Sequence, residues 1–127
     1  MLESLITLLL ADAGIAAAFG SKIASTKIDD QTDYPFAVIK QVPIDGTSYT
    51  HDGESSRLAI YQIEVYHSNL KTAMDDYTLI RDKLSGFSGA AGSHTIGRCF
   101  VRSESESWMG DDRHYKVFGQ FELGWTV

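Results

Sequence analysis

"RLAIYQIEVYHSNLKTAMDDYTLIRDKLSG", residues 57–86, changes its hydrophobic period partway along, and that change decides the fold. From Arg57 to His67, Ala59, Tyr61, Ile63 and Val65 alternate with Gln62 and Glu64, which predicts a strand with one buried face. Beyond it, Ser68 or Asn69 can cap a helix. Leu70, Ala73, Met74, Tyr77, Ile80 and Leu84 then fall on one stripe, and Gly86 ends it. A strand that feeds directly into an amphipathic helix predicts a helix laid on a sheet, and so an α+β domain.

Upstream, Pro35 drives Tyr34 out of the helical region, so "FAVIKQV" (36–42) enters already extended as a strand. The connection from it to residue 57 runs about fourteen residues, longer than an ordinary hairpin loop, and Asp52 with Gly53 supplies a turn within it. Part of this connection can continue the ladder as a protruding arm. Nearer the N-terminus, Leu2, Leu5, Ile6, Leu9 and Leu10 recur at helical spacing. Asp12 can cap a second short turn through "AGIAAAF", and Gly20 stops it. A polar connection follows, with a short extended piece around Ile23.

Downstream, "SGFSGAAGSH" (85–94) reads as a flexible Gly/Ser-rich loop and "HTIGRCFVR" (94–102) as a third strand. "SESESWMGDD" (103–112) reads as a second long polar connection. "RHYKVFGQFELGWTV" (113–127) is the fourth strand. It carries Tyr115, Val117, Phe121, Leu123, Trp125 and Val127 on one face, with Gly119 as a bend or close-packing position in that row. The expectation is one domain over residues 1–127: α+β, a four-stranded antiparallel sheet with two helices packed on one face, in the order α-β-β-α-β-β.

The formal net charge of −6, with basic residues scattered along the chain, argues against nucleic acid as the main partner. The apolar opening lacks a positive leader region and carries Glu3 and Asp12, so it reads as neither signal peptide nor membrane span. The single cysteine, Cys99, excludes an internal disulfide and fits a reducing compartment. A soluble cytosolic chain is expected.

The residues that could carry chemistry are His51, Asp52, Ser55 and Ser56. Crowded into one turn, they cannot hold a nucleophile, base and orienting acid on a rigid frame, and no nucleophile elbow is present. Turn chemistry explains each of them. His51, His67, His94 and His114 are dispersed, and "MGDDR" lacks the alternating acids of a calcium loop. No catalytic, cofactor or metal residues are expected. Trp108 and Met109 differ in kind: a tryptophan in a polar connection is either folded back or presented to a partner.

Taken in order, "LITLLLADAGIAAAFGSKI", "DYPFAVIKQV", "HDGESSRLAIYQIEVYHSNLKTAMDDYTLIRDKLSGF" and "YKVFGQFELGWTV" resemble the tail-completion (tail-terminator) proteins of long-tailed bacteriophages and prophages. The resemblance lies in the order and spacing of these motifs over nearly the whole chain. It implies a non-enzymatic virion assembly protein that caps the head-proximal end of the tail tube, stops its growth and mediates head–tail joining. It also implies a homo-oligomeric ring, typically hexameric, with the major tail tube protein and a head–tail connector or stopper protein as partners. The place implied is the tail or neck of the virion, with the host cytoplasm during assembly. Loop length and exposed aromatics mark the 43–56 and 103–112 segments as candidate interfaces, with Tyr49, His51, Asp52, Gly53, Trp108 and Met109 as the residues engaged. The rivals are another tail or connector component, a small ligand-binding module, and an enzyme using the His51, Asp52 and Ser55 turn.

Overall fold

The computed structural model describes residues 1–24, 35–42, 57–109 and 114–126. In chain order the elements are α1 (Leu2–Leu10), α2 (Ala13–Phe19), β1 (Ile23–Ala24), β2 (Phe36–Val42), β3 (Arg57–His67), α3 (Leu70–Leu84), β4 (Gly89–Ala91), β5 (His94–Met109) and β6 (His114–Thr126). The strands form one sheet in the order β1-β2-β3-β6-β5-β4. Its β1 and β2 pair in parallel, and every other neighbouring pair is antiparallel.

This corrects the expected four-stranded antiparallel sheet with two helices: the described residues form six strands in a curled, mixed half-barrel with three helices. The differences have physical causes. β1 is two residues long, too short to show a period, and is held where the Ala37 N–H donates to the Lys22 carbonyl at 2.9 Å. β4 arises from the Gly/Ser-rich stretch expected to be a loop. There Gly89 and Gly92 adopt φ of 141° and 56°, which lets the chain turn back on β5. The N-terminal apolar run divides into two helices bent by 96°, because the Asp12 carboxylate accepts from the Gly14 and Ile15 N–H groups and starts α2 afresh. The polar run from Ser103 also continues β5 instead of leaving the sheet, in register with β6 as far as Met109 and His114.

All three helices contribute to one core. Leu5, Leu9, Ile15, Phe19, Ala73, Tyr77, Ile80 and Leu84 pack with the inward row Ile39, Tyr61, Ile63, Val65, Phe121, Leu123 and Trp125. The alternation of β3 and β6 fixes this face, since a slip of one residue would turn every one of these side chains outward. Two bulges, between Ile96 and Arg98 and between Val101 and Ser103, keep Ile96, Cys99, Val101 and Glu104 opposite inward residues of β6. Among the described residues no single helix is long and apolar enough to cross a membrane.

Candidate assembly surface

The strand register decides where the expected interface segments leave the sheet. At one end Arg57 is opposite Trp125 and Trp125 opposite Ile96; at the other His67 is opposite Tyr115 and Tyr115 opposite Trp108. The 43–56 connection, entering β3 at Arg57, therefore joins the sheet at one end of the strands. The connection between β5 and β6 joins it at the other. The fold does not bring the two segments' attachment points together. Tyr49, His51, Asp52 and Gly53 lie outside the described residues, as does 110–113. Trp108 and Met109 belong to β5, paired through the backbone with Tyr115 and His114.

On the helix side, β5 and α3 frame a groove of about 370 Å³ lined by Met74, Tyr77, Arg81, Glu104, Glu106 and Val117. The Tyr77 hydroxyl donates to Glu104 Oε1 at 2.9 Å, and Arg81 Nη1 lies 3.4 Å from Glu104 Oε2. Burial, then the bond to Glu104 and its charge, push the Tyr77 phenol well above its ordinary range. A phenol held so firmly in its neutral form is a donor and no base. Glu104 is thereby a strut between helix and strand. A Cβ at Gly119, its register partner, would meet the Tyr77 ring, with Cζ at 2.9 Å, so the glycine is there for close approach.

The opposite face is not uniformly wet. Val38 and Ile60 are buried there, and so is Glu64, whose side chain is 3% exposed. Glu64 receives Lys40 at 2.8 Å, Lys116 at 3.4 Å and the Tyr66 hydroxyl at 3.1 Å. Burial alone would raise its carboxyl. The Lys40 hydrogen bond and the charges of Lys116 and Lys40 outweigh that and hold it below the ordinary carboxylate value. Tyr66 stacks on Phe36 with ring centroids 4.9 Å apart, and Gln120 donates to Gln62 at 3.3 Å. The signal that could have found this cluster is the pairing of Val38 and Phe118 with Glu64, which places Lys40 and Lys116 two residues away on the same face. Sequence alone does not supply that register.

Elsewhere His67 Nδ1 accepts the Asn69 N–H at 3.1 Å, and His94 Nδ1 meets the Ser4 hydroxyl at 2.8 Å. Burial pushes the Cys99 thiol up to about 12, leaving it no nucleophile at neutral pH. Among the described residues no group of three His, Cys, Asp or Glu could hold a metal ion. The described surface carries an exposed polar stretch of β5 at residues 102–106 and an ion-paired outer face around Glu64.

The comparisons agree with that character. A family model described as "Tail completion protein gp17" matches residues 3–124. No curated protein matches this chain. Among solved structures, the chain is similar to one from "Virion of native gene transfer agent (GTA) particle". The TM-score is 0.76 at 13% identity, over 97% of this chain and 92% of that one.

Proposed function

Because this chain belongs to the family of tail completion protein gp17, a structural family of phage tails, we propose that it closes the head-proximal end of a tail tube as a ring. The observation that carries the reading is the family match from residue 3 to residue 124, which leaves almost none of the domain unaccounted for. In this reading six copies form the ring, tube growth stops beneath it, and a head-side connector or stopper protein docks above it. The protein works as a binding surface with no catalytic step, in the cytoplasm of the host and then in the virion neck.

Two features of the fold support it. A ring needs a heterologous interface, in which one patch of each subunit meets a different patch of its neighbour, and the half-barrel presents two unlike sheet edges. An end cap also needs one surface for the tube and another for the head. The 43–56 segment and the β5–β6 tip are attached at opposite ends of the strands, and they are assigned to these two surfaces with Tyr49, His51, Asp52 and Gly53 on one and Trp108 and Met109 on the other. The test is the mass of the purified protein by light scattering at high concentration, with and without tail tubes. A particle six times the 14.0 kDa chain is expected. A protein that stays monomeric in both samples would overturn the ring.

A further inference from the structure

The groove between α3 and β5 combines apolar walls with a charge that the chain itself leaves unbalanced. α3 packs over β6 through Tyr77, whose ring centroid lies 6.3 Å from that of Phe121 and which fills the space at Gly119. It reaches β5 through the contacts of Tyr77 and Arg81 with Glu104, and residues 102–106 of β5 stay exposed. The 370 Å³ groove lies there, lined by buried Val117 and by Met74, a large apolar side chain left 44% exposed.

One cation, Arg81, and two carboxylates, Glu104 and Glu106, line this groove. Arg81 is engaged within the chain, with Nη1 3.4 Å from Glu104 and Nε 3.8 Å from Asp82. Glu104 is engaged too, by Arg81 and by the Tyr77 hydroxyl. Glu106 is opposite Val117 in the inward row, is exposed, and has no ion pair or hydrogen bond among the described residues. A neighbouring hollow of about 560 Å³, which shares Arg81 and Glu104, carries no such excess: its other charged residues are Asp82 and Arg102, so its charges balance.

A free carboxylate among apolar walls suits a ligand with an apolar stem and a positive head, and lysine and arginine side chains are built that way. The unbranched, rotatable Met74 side chain can mould itself to such a stem. We propose that the α3–β5 groove takes a lysine or arginine side chain from a segment of another protein, its aliphatic stem along Met74 and Val117 and its charged head at Glu106. The site goes beyond the ring reading and stands without it. The formal net charge of −6 favours a basic partner over another copy of this acidic chain.

The test uses the full chain, isotope-labelled at backbone amides and methionine methyls, and two synthetic probes: acetyl-Leu-Lys-Leu-Lys-amide and its counterpart acetyl-Leu-Glu-Leu-Glu-amide. In NMR titrations at neutral pH, the lysine probe is expected to shift the Met74 methyl and the amides of residues 104–106 saturably. The glutamate probe should leave them in place. Glu106→Gln should weaken the lysine probe by about two- to fivefold, the worth of one exposed ion pair. Glu122→Gln, in the outward row opposite Ile60, should not weaken it. The proposal is overturned if the lysine probe leaves the groove resonances unmoved, if both probes bind equally, or if Glu106→Gln binds as tightly as the parent. Groove resonances that shift with protein concentration alone would assign the groove to a second copy and overturn it as well.

Discussion

Gly119 and Glu64 show how much of this domain rests on single side-chain choices. At Gly119 the Tyr77 ring occupies the space a Cβ would need, and neither the strand backbone nor the packed ring of α3 can yield cheaply. Gly119→Ala should cost about 1–3 kcal/mol, the ordinary range for overpacking a core. Tyr77→Phe in the same chain should recover part of that by removing the hydroxyl. Urea midpoints of the two single variants and the double variant measure it; strict additivity would contradict the contact. Glu64 makes a pH prediction. Its folded carboxyl is held below its ordinary value of 4.5, so the native state binds its proton less readily than the unfolded chain does. The stability it contributes is complete above 4.5 and is lost as pH falls through the lowered folded value. Glu64→Gln should therefore flatten stability against pH in that acid window while leaving the slope at neutral pH unchanged.

At the scale of elements, what was readable followed from what drives each element. α3 and β3 are long and bury a full stripe or row, so their periods are written in the sequence as 3.6 and 2. α3 also starts where its cap says it should, with Asn69 Oδ1 accepting the Thr72 N–H at 3.1 Å. Asn69→Ala should lower stability by about 1 kcal/mol and Asn69→Asp by much less, as thermal unfolding would show. What escapes has no burial pattern of its own. The short extended piece around Ile23 is legible but its parallel pairing with β2 is not, and β4 is missed because the two glycines that shape it look, in sequence, like flexibility. "SESESWM" carries no hydrophobic alternation, since residues 103–106 are all exposed, and its strand character comes from pairing with β6. Of the candidate site, Trp108 and Met109 could be singled out as unusual in a polar run, whereas the Tyr77, Arg81 and Glu104 cluster could not. Residues 27 apart in sequence meet there only through strand register and two bulges.

At the scale of the whole molecule, the half-barrel with its helix layer is a small, stable carrier for edges and ends. The family to which it belongs sets the broad role in the phage tail. The formal net charge of −6 opposes non-specific association of the free chain. The central claim, that this protein caps one end of a tail tube, is tested most directly by imaging purified tail tubes incubated with the protein in the electron microscope. The account predicts a single closed ring on one end of each tube and none along its length. Decoration along the tube wall, or tubes that remain bare at both ends, would contradict it.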